Sequence, residues 1–151
     1  MKVEHRAAIP SDIDALFTVG VESSNLQEIW RVSFLRPEAA LCATFAAADY
    51  RVSSWYGDEI LALWGASRKS LVSKVGVCWL VASKSIAKYP IVFARESKKL
   101  LGIFDAEYTY LENYVDADNQ TIIRWLKWLD FTFDPLSTLS ASGHPVLRFW
   151  R

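Results

Sequence analysis

Three carboxylates, Glu112, Asp116 and Asp118, stand close together in the second half of the chain. Several oxygen ligands converging on one point is what a hard cation needs. Asp118, however, precedes a helical stretch, where a carboxylate also serves by facing the positive end of the helix. That simpler role is the expected one, and no resident metal is expected. Glu112 and Glu107, and Glu59 at the start of a strand, are carboxylates of the kind that serve as general bases. A solvated surface carboxylate remains the ordinary role of each. His5 and His144 are far apart, and no Cys or Asp stands at metal or triad spacing from either. His5 reads as structural and His144, beside Pro145, as a loop residue. Ser83 and Ser85 lie in no Gly-x-Ser-x-Gly elbow, so a hydrolase has no support. Of the two cysteines, Cys42 and Cys78, the latter sits in an apolar run and reads as core. A disulfide framework is not expected, and a reducing compartment fits.

The elements that must position these groups follow from periodicity and turn residues. Val3 to Ala8 reads as a first strand. Ile9-Pro10-Ser11-Asp12 turns into a helix with Ser11 or Asp12 as its N-cap and Ile13, Leu16 and Phe17 as its apolar stripe. Asn25 to Val32 is a second helical piece, and a third starts at Arg36-Pro37-Glu38 and runs through Phe45, favoured by its alanines. Tyr50 to Tyr56, Gly57-Asp58 and Ile60 to Ala66 form a hairpin. Gly76 to Ala82 is nearly all apolar, as a central strand covered on both faces would be. After Tyr89-Pro90 a helix carries Val92, Phe93, Leu100 and Phe104 on one side and Arg95, Glu96, Lys98 and Lys99 on the other. Tyr110 to Val115 is a strand, Asp116 to Gln120 a loop, and Ile122, Leu126 and Leu129 stripe a last helix. Phe131 to Phe133 and Pro145 to Trp150 make a closing antiparallel pair, connected through Ser140 to His144. The order predicts a mixed central sheet with helices on both faces, an α/β architecture.

Composition narrows the function. The chain has 151 residues, with 52% hydrophobic and 23% charged, which suits one folded domain spanning residues 1–151. Lys plus Arg and Asp plus Glu are 17 each, so there is no basic excess to hold nucleic acid. Near-neutrality gives little colloidal repulsion and favours self-association. No apolar stretch approaches a membrane span, and the start, Met1 to Arg6, has no signal-peptide pattern, so the cytoplasm is the expected location. Seven Trp residues are many for this length. Trp125 and Trp128, three apart on the last helix, read as core packing or, with Trp150, as an exposed protein-binding patch.

This element order resembles the GNAT N-acetyltransferase fold. Arg6, Ala7, Ser11, Asp12, Ile13 and Leu16 look like its opening strand and turn. Asn119, Ile122, Ile123, Leu129 and Phe131 match in type and spacing its Asn, helix and closing Phe. The resemblance implies acetyl-CoA in the splay between the strand ending near Ala82 and the one starting near Tyr110. Backbone groups of Trp79, Leu80, Val81 and Ala82 and the side chain of Asn119 would hold it, with Glu59, Glu112 or a water as base. The chain departs from the pattern in three places. The phosphate turn should be glycine-rich, so that backbone N–H groups approach the pyrophosphate. Here it reads Ser83-Lys84-Ser85-Ile86-Ala87-Lys88-Tyr89-Pro90, leaving Lys84, Ser85 and Lys88 as substitutes or as a solvated loop. The family's general-acid Tyr falls at Leu126, and its Gly before the closing Phe falls at Asp130.

A narrower resemblance is carried by Glu112 to Asn119, by Ile123 to Leu129, by Phe93 to Ser97 and by Arg148-Phe149-Trp150. It is to a GNAT-like family of tailed-bacteriophage proteins, some labelled internal virion protein A, and covers the second half well and the first loosely. It implies a phage protein made in the host cytoplasm, or packaged in the virion, that binds a virion or host protein instead of transferring acetyl groups. An active N-acetyltransferase working on a protein or small-molecule amine is the alternative, and a module that keeps acyl-CoA as a regulatory ligand is a third.

Overall fold

The computed structural model describes residues 2–151. Eight strands form one mixed sheet: β1 (Val3–Ala7), β2 (Tyr50–Tyr56), β3 (Glu59–Arg68), β4 (Val75–Ala82), β5 (Tyr110–Asp116), β6 (Thr132–Phe133), β7 (Thr138–Leu139) and β8 (Pro145–Trp150). The spatial order is β1-β2-β3-β4-β5-β8-β6, with β7 also on β8. Only β4 and β5 run parallel, joined by the long helix α4 (Pro90–Glu107). Helices α1 (Pro10–Val19), α2 (Ser23–Ser33) and α3 (Pro37–Ala47) cover one face and α4 and α5 (Gln120–Trp128) the other. No helix among the described residues is long and apolar enough to cross a membrane.

Strand alternation splits the apolar residues between two cores. Trp79 and Val81 of β4 pack with Leu16, Leu41, Phe45 and Leu63 under α1 to α3. Cys78 and Leu80 face Trp64, Phe104, Leu111 and Leu126 under α4 and α5. The predicted elements are present, with shifted boundaries and three changes. Pro10 takes the first helical position, so α1 begins before Ser11, and Ile9 is its N-cap residue. Asp12 instead accepts the Ile9 N–H at 2.9 Å from inside the first turn. The closing pair is not a simple hairpin, because β8 inserts between β5 and β6 and the short β7 joins its other end. Trp125 and Trp128 diverge. Trp125 stacks on Phe93 at 6.0 Å between centroids, whereas Trp128 is half exposed beneath the Lys98 ammonium. The three-Trp surface patch therefore does not form.

Asp130, which closes α5, has φ 68. This left-handed conformation favours glycine and is tolerated by Asp. Asp130→Gly should raise unfolding free energy by about 0.5 kcal/mol, since the relieved backbone strain is offset partly by greater unfolded-state freedom. Urea denaturation checks it.

Candidate functional site

Strands β4 and β5 pair only from Val75–Tyr110 to Val77–Glu112 and then diverge. Asn113 marks the point of divergence, its Nδ2 donating to the Cys78 carbonyl at 2.7 Å. Beyond this tie the sheet opens into a cavity of about 260 Å³ reaching both faces. Its walls are Trp79, Leu80 and Val81 of β4, Ile29 and Val32 of α2, Leu41 of α3, Phe104 of α4 and Trp125, Leu126 and Leu129 at α5. The indole Nε1 atoms of Trp79 and Trp125 are buried without a hydrogen-bond partner. Cys78 also lines the space, but burial pushes its thiol up to about 12, so it offers no thiolate.

The backbone bordering this opening is largely occupied. Ser83 N–H bonds to Leu61 on β3. By alternation, the odd-numbered residues Trp79 and Val81 turn their main-chain groups to β3, and Leu80 and Ala82 turn theirs to the opening. Ala82 N–H donates to Asn25 Oδ1 at 2.6 Å, and its carbonyl accepts from Glu22 N–H at 2.9 Å. Of Trp79 to Ala82, only Leu80 keeps main-chain groups facing the space. Of the residues assigned to a cofactor, Trp79, Leu80 and Val81 thus line the cavity, whereas Ala82 does not.

The turn after β4 is similarly closed. Residues Lys84–Lys88 wind into a 3₁₀ helix. Lys84 N–H bonds to Gly20 O, Ser85 N–H to Ser83 Oγ, Ile86 N–H to Ser83 O and Tyr89 N–H to Ile86 O. Pro90 brings no N–H at all. Lys84 lies along Gly20, and Lys88 pairs with Glu59 at 3.1 Å. Neither borders the opening.

Two of the three base candidates, Glu59 and Glu112, are likewise committed. Glu59 accepts from Lys88, and hydrogen bonds from Ser85 and Lys88 hold its carboxyl below the usual range. Glu112 is buried. Burial pushes its carboxyl up, but Lys69 at 2.6 Å and Arg148 at 2.6 Å overcome that and hold it below the ordinary value. Each is a carboxylate locked in an ion pair, and neither lines the cavity.

The carboxyl that does line it is Glu28 of α2, which the sequence reading passed over. Its Oε2 accepts Asp116 N–H at 2.7 Å, and Asn119 Nδ2 lies 3.4 Å from Oε1. Burial first, and then the neighbouring Asp116 carboxylate, push it up to about 7 against the Asp116 N–H, Asn119 and Arg31. Asn119 does cap α5, its Oδ1 accepting Ile122 N–H at 3.3 Å, so its side chain is shared between the helix and Glu28. Glu112 and Asp116, adjacent in the sequence reading, go to different partners. Asp116 Oδ2 takes Arg31 at 2.9 Å and Oδ1 takes His144 at 3.0 Å. Asp116, Asp118 and His144 bring ligand atoms together. The Arg31 guanidinium occupies the same corner, which disfavours a cation there.

His5, read from sequence as structural, joins a longer relay. Its Nδ1 lies 2.7 Å from Ser54 Oγ and its Nε2 3.1 Å from Glu96 Oε2. That is the order of a hydroxyl–imidazole–carboxylate triad. Ser54 is only 1% exposed, however, and its Oγ also accepts Trp64 Nε1–H at 2.7 Å. No substrate reaches it, and the relay ties the edge strand β1 to α4.

No family model and no curated protein matches the chain. Solved structures do. A spermidine N-acetyltransferase from Vibrio cholerae, in complex with CoA and spermine, superposes with a TM-score of 0.70 at 13% identity, covering 99% of this chain and 95% of that one. A ribosomal L7/L12 alpha-N-protein acetyltransferase in complex with coenzyme A gives 0.70 at 14% identity over 100% and 94%. A GCN5-related N-acetyltransferase from Kribbella flavida gives 0.71 at 11% over 99% and 96%. Likeness at such identities speaks for architecture alone: this chain has the GNAT acyl-CoA N-acyltransferase fold.

Proposed function

We propose that this chain keeps the GNAT fold without its acetyl transfer and acts by binding protein, in the virion or the infected host of a tailed phage. The observation that supports this reading is the occupation of Ala82: Asn25 and Glu22 take two of the main-chain groups that the family resemblance assigns to a pantetheine arm. The self-bonded turn from Lys84 to Pro90, the stack of Trp125 on Phe93 and Leu126 in place of an acid point the same way. The phage setting rests on the resemblance of Glu112 to Asn119 and Ile123 to Leu129. A protein-facing surface is available at the end of α2, where Trp30, Phe34 and Leu35 are 48%, 55% and 50% exposed and the rings of Trp30 and Phe34 lie 4.8 Å apart. Calorimetric titration with acetyl-CoA tests the reading. No binding heat is expected up to about 1 mM cofactor, and a Kd below about 100 μM overturns it.

One observation favours the alternative, an acetyltransferase. Glu28 lines the opening with a pKa near neutrality, where a general base works best. In that case the CoA complexes of the structural neighbours would be the guide. The same titration would show tight binding weakened by Asn119→Ala, and rate would come mostly from holding amine and thioester together.

A further inference from the structure

Leu71 and Val72 are 94% and 96% exposed, more than any other large hydrophobic side chain among the described residues. They stand at the tip of the β3–β4 hairpin, at the end of the sheet away from the splay, since β4 and β5 pair near Val75 and part beyond Val77. The tip is an ordered turn. Lys69 N–H bonds to the Val75 carbonyl at 2.9 Å, Ser73 N–H to the Ser70 carbonyl at 3.3 Å, and Val75 N–H to Ser73 Oγ at 3.0 Å. One exposed aliphatic is ordinary on a protein surface. Two side by side on a bonded turn, with almost no area covered on either, form an apolar point with nothing of this chain to bury it.

The charges around this point have one sign. Between Ile60 and Ala82 the only charged residues are Arg68, Lys69 and Lys74, all exposed and all at the tip. The acids in contact with them belong to other elements and lie at the base of the hairpin. Asp49 accepts the Arg68 main-chain N–H at 2.8 Å, and Glu112 divides its charge between Lys69 and Arg148. Tyr110, half exposed, is the register partner of Val75 at the same base.

Aliphatic at the tip, cationic just behind it and aromatic at the base is the order that matches the acyl chains, phosphates and interfacial zone of a bilayer. We propose that this hairpin docks the chain on an anionic lipid surface, with Leu71 and Val72 entering the edge of the acyl region and Arg68 and Lys74 meeting the headgroup phosphates. The contact is peripheral, since no helix among the described residues can span a bilayer. A convex point of two aliphatics suits a fluid surface, which needs no matching pocket, better than a folded partner. The site rests on neither the protein-binding nor the acetyltransferase reading. Moving one such side chain out of water is worth roughly 10- to 100-fold in partitioning, and each cation near an anionic surface about fivefold. Salt screens the second contribution and leaves the first. Binding is therefore reversible and needs both.

Flotation of the full chain with lipid vesicles tests this. Vesicles of equal parts phosphatidylcholine and phosphatidylglycerol should carry the protein, and phosphatidylcholine alone should bind it at least about tenfold more weakly. Salt at about 0.5 M should remove most of that preference. Leu71→Ser combined with Val72→Ser should weaken binding by at least about thirtyfold. Because these side chains are almost wholly exposed, the Tm of that variant should match the parent's, which separates lost docking from lost folding. Arg68→Gln combined with Lys74→Gln should cost about twentyfold on the anionic vesicles alone. Lys69 is left in place because it holds Glu112. Undiminished binding by the serine variant, equal binding to both vesicles, or no binding to either overturns the proposal, and the last result would assign the tip to a pocket on a protein partner.

Discussion

Gly65→Ala should lower the stability of the chain by about 3 kcal/mol, more than any other single methyl group added to the sheet. Gly65 is paired with Trp79 across β3 and β4. A Cβ built on Gly65 would lie 2.2 Å from Trp79 Cζ2 and 2.3 Å from Cε2. The indole therefore rests directly on the glycine backbone, and an added methyl drives it off that seat, out of its packing with Leu41 and Val81 and toward the splay cavity it borders. For a domain of this length such a loss corresponds to a fall in Tm of about 6–12 °C. Trp79→Leu alone should also destabilise, by loss of buried area. In the double variant the two effects should not add: with the ring gone the new methyl has room, and the combined loss should be smaller than the sum by more than about 1 kcal/mol. Thermal and urea unfolding of the four proteins measures this cycle. Strict additivity would mean that the indole does not lie on Gly65. The functional consequence is direct. Trp79 is held flat by the glycine opposite it, and that placement keeps the cavity open between β4 and β5.

Much of this arrangement is written locally. The apolar run from Gly76 to Ala82 could only be a strand covered on both faces, and α4 and the β2–β3 hairpin carry their periods openly. Asn119 was legible as the residue that starts α5, since an amide before an apolar helix finds its partner three residues on. What escaped depends on contacts between distant segments. Asp116 N–H reaches Glu28 across 88 positions, and Asn25 reaches Ala82 across 57. A signal for both was present. Asn25, Glu28, Ile29 and Val32 stand at i, i+3, i+4 and i+7, so two polar residues lie on the very stripe of α2 that faces inward. Polar groups on such a stripe must find partners, and here those partners define the site. The insertion of β8 between β5 and β6 was hidden for a related reason: strands adjacent in sequence are adjacent in the sheet only about two-thirds of the time. Trp125 and Trp128 share a helix side by spacing alone. Only the position of Phe93 on α4 decides which of them turns in.

Replacing Glu28 with Gln should make the protein more stable at neutral pH, although a buried hydrogen-bonding side chain is being changed. Burial and the Asp116 carboxylate raise the Glu28 carboxyl from its ordinary value of about 4.3 to about 7. Between those two values the folded chain holds a proton that the unfolded chain has released. Stability must then fall as pH rises through that window, and the whole penalty is present above about pH 7. Its size, discounted for the access that water keeps to Glu28, is on the order of 2 kcal/mol. Gln cannot ionise and still offers an oxygen to the Asp116 N–H. It forfeits only the weaker contact from Asn119 at 3.4 Å. The stability difference between variant and parent should therefore be near zero at pH 4.5, grow through pH 6 and reach a plateau near 2 kcal/mol by pH 8. Asp116 and Glu112 act in the opposite sense. Their carboxyls lie below the ordinary range despite burial, because Arg31, Lys69 and Arg148 and the Asp118 N–H overcome it, so they stabilise above their unfolded values and lose that contribution on acidification. Glu112 is the same in both proteins and cancels in the difference; Asp116 loses a like-charged neighbour in the variant, so the difference reports Glu28 together with its repulsion from Asp116. Urea unfolding at four pH values measures it, and a difference that does not change with pH would mean that Glu28 is an ordinary solvated carboxylate.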